Sequence, residues 1–291
     1  MPVLYSYTAM IPSILPSTGP IGVFDSGYGG LTILDKIRGL MPEYDYIYLG
    51  DSARCPYGPR SFEVVYEFTL QAVSKLFELG CPLVILACNT ASAKALRTIQ
   101  QINLPVIDAT RRVLGVIRPT AECIGEITRS RHVGILATAG TIKSESYLLE
   151  IHKLSPDIVV TGEACPMWVS LVENNEYQSE GADYFVKQHI NRLLDKDPMI
   201  DTIILGCTHY PLLRGVIGRE MGESVKLVNP AYETAKSLKD LLKEKDLLNV
   251  SGEKPEHKFF VSDGVDQFRS FANSILPYQV ENTTVIDIES Y

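Results

Sequence analysis

At 291 residues the chain is long enough for about two domains of ordinary size. Its 45% hydrophobic and 21% charged residues are the balance of a globular protein with a real core. A net charge of −8 argues against a nucleic-acid surface, which needs clustered Lys and Arg, and the local basic spots at Arg111–Arg112 and Arg129–Arg131 read as solvated helix face.

The chain starts with "MPVLYSYTAMIPSILPSTGP", which has no Lys or Arg and so lacks the basic region of a signal peptide. Pro2, Pro12, Pro16 and Pro20 break any membrane helix there. Residues 1–19 read as an extension before the fold, and the protein as cytoplasmic. Short apolar runs then alternate with helical patterns. The expected strands are 21–24, 46–50, 83–87, 105–109, 132–138, 158–162, 202–206, 225–229 and 257–263. Several are continuous and β-branched, as parallel strands covered on both faces should be. Between them, residues 61–79 place Val64, Val65, Phe68, Ala72, Leu76 and Phe77 at helical spacing, with Ser61 to cap the start and Gly80 to close the end. The alternation predicts a doubly wound parallel α/β fold.

Two runs share one grammar of strand, small residue, Cys and polar turn: "VILACNT" with Cys88 and "IILGCTH" with Cys207. Two α/β lobes, each offering a thiol at the carboxyl end of a strand where ligands of such sheets bind, would explain it. The alternative is a pair of ordinary buried cysteines. The first strand ends in "FDSGYGG", where Gly27, Gly29 and Gly30 let the chain turn tightly and leave N–H groups free for an anion such as a carboxylate; Asp25 either serves that site or caps the helix. It is neither a dinucleotide fingerprint nor a P-loop. The second polar strand end, "GDSARCPYG", offers Asp51 and Ser52, with Cys55 as a bystander in the loop. Cys165 and Trp168 read as structural. No CxxC occurs, Cys207 and His209 alone do not make a metal site, and no Lys has a pyridoxal phosphate context, so neither metal nor cofactor is expected. A thiol at a helix start can take or give a proton. Two thiols on opposite sides of one carbon could invert it.

Together "FDSGYGGLTIL", "GDSARCPYG", "ACNTASA" and "GCTHYPLL" resemble the glutamate racemase family, within the wider aspartate/glutamate racemase superfamily. "LATAGTIKSESY" and "ACPMWVSLVE" are similar to further family segments, and the likeness runs from about Ile21 to Glu233. The resemblance implies two flavodoxin-like lobes related by pseudo-symmetry: residues 20–110 plus 229–291 carrying Cys88, and 111–228 carrying Cys207. It implies a cofactor-independent enzyme that interconverts L- and D-glutamate for peptidoglycan synthesis. Carried over, Cys88 and Cys207 are the acid/base thiols, assisted by Asp25 and His209. Asp25, Ser26, Tyr57, Gly58, Asn89, Thr90, Thr208 and His209 contact substrate, and Asp51 and Glu173 are supporting acids. A homodimer without membrane or nucleic-acid partners is expected. The chain departs from the family pattern at Cys55 and at Asn229–Pro230. Aspartate racemisation, a two-lobed binding protein for an acidic metabolite and a thiol–disulfide protein remain as alternatives.

Overall fold

Ten strands form among the described residues, and every pairing between them is parallel. They are β1 (Ile21–Asp25), β2 (Tyr46–Gly50), β3 (Leu83–Leu86), β4 (Arg112–Gly115), β5 (His132–Ala137), β6 (Val159–Ala164), β7 (Thr202–Gly206), β8 (Lys226–Val228), β9 (His257–Val261) and β10 (Thr283–Val285). The computed structural model describes residues 19–222, 224–244 and 255–289; the expected extension lies outside them except for Gly19.

One sheet has the order β10-β9-β2-β1-β3-β4 and the other β6-β5-β7-β8. The segments β2-β1-β3-β4 and β6-β5-β7-β8 follow the same path, second strand, first, third, fourth, which is the flavodoxin-like order. The repeat is therefore topological as well as local, and β3 is the counterpart of β7. Most central strands are buried on both faces, as their unbroken apolar runs require.

The helix expected at 61–79 forms as α2 (Phe62–Glu78), where Ser61 Oγ accepts the N–H of Val64 at 3.3 Å. Gly80 follows at φ +90°, a conformation that suits glycine. Residues 105–109 do not form a strand. Leu104–Ile107 is a helical turn with Pro105 in its first turn, and Val106 is 84% exposed, so that apolar run has no core to enter. The strand of this region is β4, and it joins the first sheet although its residues fall within 111–228. The edge strand β10 had no clear sequence signal. Arg111 and Arg112 do not lie on a helix face: Arg112 begins β4 and is buried, and Arg111 pairs with Asp108 at 3.1 Å.

The helix Ile117–Ile127 leads into the second sheet, and the helix Pro230–Glu244 leads back, packing on both α1 (Leu31–Leu40) and Ile117–Ile127. A single apolar cluster takes in Val23 and Tyr48 from one sheet and Ile203 and Leu205 from the other. Each such side chain contributes about 1.5–3 kcal/mol when buried, so packing rather than a few polar bonds holds the two sheets together.

Candidate functional site

Parallel register sets the ends of the strands side by side. Asp25 pairs with Gly50 and Phe24 with Leu86, so Ser26, Asp51 and Cys88 emerge along one edge of the first sheet. In the second, Ala137 pairs with both Ala164 and Gly206, so Thr138, Cys165 and Cys207 emerge together. The two edges meet at a cavity of about 160 Å³. Its lining includes Ser26, Tyr57, Gly58, Cys88, Asn89 and Thr90 from the first lobe and Cys207, Thr208 and His209 from the second. Both thiols are free and reach the same space, each with only 6% of its surface exposed.

Cys88 precedes α3 (Asn89–Lys94) as its N-cap, and Sγ accepts the N–H of Ala91 at 3.4 Å. Ser26 Oγ lies 3.5 Å from the same sulfur. Burial, joined by the nearby Asp25 carboxylate, outweighs these bonds and pushes the thiol up to about 12. Cys207 has a different neighbour. Its Sγ is 3.8 Å from His209 Nδ1, and His209 Nε2 is 3.0 Å from Glu173 Oε1. Burial alone would depress the imidazole, but its hydrogen bonds to Cys207 and Glu173 and their charges raise it to about 10. At neutral pH His209 is a cation beside Cys207.

Gly29 lets the lobes come this close, and Gly27 makes room for Cys55 within the first lobe. A Cβ on Gly29 would lie 2.3 Å from Thr208 Oγ1 and 2.6 Å from His209 Nδ1, and one on Gly27 would lie 2.9 Å from Cys55 Sγ. Neither residue has positive φ, so close approach and not a left-handed turn is what these positions require. The loop's anion is also supplied from within: the N–H of Gly27 bonds to Asp25 Oδ2 at 3.0 Å. Asp25 is fully buried and its carboxyl is raised by burial, against the opposing charge of His209 and the N–H groups of Gly30 and Gly27.

Three of the expected residues stand behind the wall rather than in it. Asp25 lies beside Thr208, whose hydroxyl is 3.5 Å from Oδ1. Asp51 binds Arg54 Nε at 2.7 Å, Ser262 Oγ at 2.9 Å and the Tyr57 hydroxyl, so it holds the Tyr57 loop and does not face a ligand ammonium group. Glu173 acts on His209. Cys55 is not a bystander: it lines the cavity, and its Sγ is 3.8 Å from Glu173 Oε1. Cys165 and Trp168 are packed as expected, with Trp168 against Tyr210 at a centroid distance of 4.8 Å.

The cavity also includes Thr138, Ala139, Pro166, Val169 and Ser170. Thr138 had one legible signal, its place at the end of an expected strand. Its hydroxyl joins a cluster with Thr90 at 2.9 Å and Thr141 at 3.1 Å. Asn89 Oδ1 accepts the Tyr147 hydroxyl at 2.6 Å, while its buried Nδ2 has no hydrogen-bond partner among the described residues. A buried, unspent donor on a residue that lines the cavity suits a carboxylate ligand. The volume is below the roughly 300–1,000 Å³ typical of drug-sized ligands, so the cavity fits a small metabolite. Among the described residues no cluster of His, Cys, Asp and Glu could hold a metal ion, and no helix is long and apolar enough to cross a membrane.

Residues 32–238 match the family model described as Asp/Glu/Hydantoin racemase. The chain is 40% identical over 271 residues to a glutamate racemase of Geobacter metallireducens, covering 93% of this chain and 97% of that protein. Among solved structures, a glutamate racemase isoform from Bacillus anthracis superimposes with a TM-score of 0.86 at 37% identity, covering 93% of this chain and 98% of the other. A glutamate racemase from Francisella tularensis in complex with D-glutamate gives 0.85 at 35% identity, with 94% and 100% covered.

Proposed function

The chain belongs to the Asp/Glu/Hydantoin racemase family, among its glutamate racemases, and from that premise we propose that it interconverts L- and D-glutamate by passing the α-proton between Cys88 and Cys207. It is an amino-acid racemase, an isomerase. The observation that supports this mechanism most directly is the pair of free thiols on matching strand ends of two sheets, both lining one small cavity. One thiolate removes the α-proton from one face while the opposite thiol returns a proton to the other. The donors on Asn89, Thr90, Thr138 and Thr208 hold the carboxylates, and the buried Asp25 braces Thr208 from behind the cavity wall.

The two thiols have different neighbours. The His209 imidazole lies beside Cys207, whereas burial and the charge of Asp25 hold Cys88 at about 12 against an ordinary 9.0. Ionising Cys88 in the free site therefore costs about 4 kcal/mol more than ionising an ordinary thiol. Cys88 enters the cycle as an acid, and an enantiomer whose α-proton faces Cys207 reacts directly with the resting protein. The opposite enantiomer needs the proton moved first, and the positive ammonium group of the substrate offsets part of that cost. No further group is needed to carry the proton, so the reaction requires neither pyridoxal phosphate nor metal.

In this reading the enzyme works in the cytoplasm, supplies D-glutamate for peptidoglycan and assembles as a homodimer, which sedimentation analysis would test. The lobes are 20–110 plus 229–291 and 111–228, with β4 contributed to the first sheet across that boundary. The deciding experiment is chiral analysis of purified protein incubated with L-glutamate or L-aspartate and no added cofactor. D-glutamate should accumulate to an equal mixture. A protein that racemises aspartate and leaves glutamate unchanged, or that needs pyridoxal phosphate or a metal after dialysis against chelator, would overturn the assignment.

A further inference from the structure

Cys55 is the third thiol of the cavity, and the reaction just described gives it no role. It sits in the loop after β2, in the first lobe, yet its Sγ is 3.8 Å from Oε1 of Glu173 in the second. That same oxygen is 3.0 Å from His209 Nε2. The four side chains form one path, from Cys55 through Glu173 and His209 to Cys207. The path has been given room, since a Cβ on Gly27 would stand 2.9 Å from Cys55 Sγ. We propose that Cys55 is a positioning residue that acts across the lobe interface, its S–H sharing Glu173 Oε1 with His209 and thereby moderating how tightly Glu173 holds the imidazolium proton.

The chemistry requires Cys55 to be the donor. Burial, then the negative charges of Glu173 and Asp25, pushes this thiol upward, so it keeps its proton at neutral pH. A carboxylate oxygen that already accepts one hydrogen bond offers less charge to a second donor. With the thiol removed, Oε1 serves His209 alone and the imidazolium becomes harder to deprotonate. The other titratable groups facing this pair are Cys207 on its own turn, Asp25 at the end of β1, Tyr28 in the turn that follows, and Cys88 at the end of β3. Tyr48 also faces Cys55, and both phenols, raised first by burial and further by Cys55, stay neutral at neutral pH.

This role for Cys55 rests on the functional reading above, but its test is independent of turnover. The histidine imidazoles of the full-length protein would be titrated by NMR with labelled histidine, and the His209→Asn spectrum would assign the resonance. Cys55→Ala should raise the His209 midpoint by roughly half a pH unit or more, while Cys55→Ser, which retains a donor, should stay closer to the parent value. Should alkali unfold the chain before the midpoint, the deprotonated fraction of His209, read from its ring shifts at the highest pH at which the chain stays folded, gives the same comparison: about threefold smaller in Cys55→Ala and near the parent value in Cys55→Ser. A Cys55→Ala protein whose His209 titrates with the parent or below it, or a Ser variant shifted as far as Ala, would overturn the inference. A parent protein that fails to racemise glutamate would remove the functional reading and leave the titration result intact.

Discussion

The Cys88 and Cys207 sides of the cavity share a strand position and differ in almost everything that sets charge. Each thiol follows the third strand of a 2-1-3-4 sheet and begins a polar turn. Burial and a nearby buried carboxylate leave Cys88 a weak acid, against the hydroxyl and backbone N–H that its sulfur meets. Cys207 is next to an imidazolium held by Glu173. A repeated fold places two equivalent groups, but their ionisation comes from partners brought in by other strands and loops. Such asymmetry is useful in a two-base reaction, because one group must be charged while the other is neutral.

Replacing the thiols one at a time should break the comparison with the largest effect. Cys88→Ala and Cys207→Ala should each lower racemisation by at least about 10³-fold, since each direction uses both groups. Enantiomers are equally stable, so kcat/KM must fall equally in the two directions. What separates the sides is exchange without inversion in deuterium oxide. Each variant keeps one base, so each should wash the α-proton out of one enantiomer only, and the two variants should choose opposite enantiomers. Mass spectrometry after chiral separation reads this, and the same choice in both variants would end the two-face assignment.

Removing the cation should act on one side. His209→Asn should slow racemisation by about 10²-fold and slow alkylation of Cys207 at pH 7 by about tenfold, while Cys88 changes less than about twofold. The same substitution tests stability. His209 is raised from 6.5 to about 10 on folding, so the folded chain binds the extra proton between those values. Its contribution is complete below about pH 6.5 and is lost as pH rises through about 10. Thermal melts of the parent should therefore lose more stability over that window than those of His209→Asn; parallel curves would show that the imidazole is not held as a cation.

The smallest effect belongs to Asp25→Asn as read at Cys88. Burial is the first cause of the high Cys88 value and remains after the substitution, while the carboxylate is the second and disappears. The amide oxygen can still accept the N–H of Gly27. Alkylation of Cys88 at pH 9 should rise only about two- to fivefold, with Cys207 changing less. A slower Cys88 would mean that the carboxylate does not oppose its ionisation.

The amino-acid sequence by itself determined the parallel strands and the two thiols at their ends, because a buried strand must be an apolar run and must stop where polar turn residues begin. That logic reaches only as far as local burial. It misassigned 105–109, where Pro105 starts a helical turn and Val106 faces solvent, and it passed over β4, whose Arg112 disguises a short buried strand. The tertiary structure alone decided that Gly29 after β1 is there to admit Thr208 and His209, that Asp51 braces Tyr57, and that Cys55 meets Glu173. Each of these depends on two segments more than a hundred residues apart or on a side chain's direction out of a loop. Spacing along one chain records helix and strand periods; it does not record which distant oxygen two donors will share.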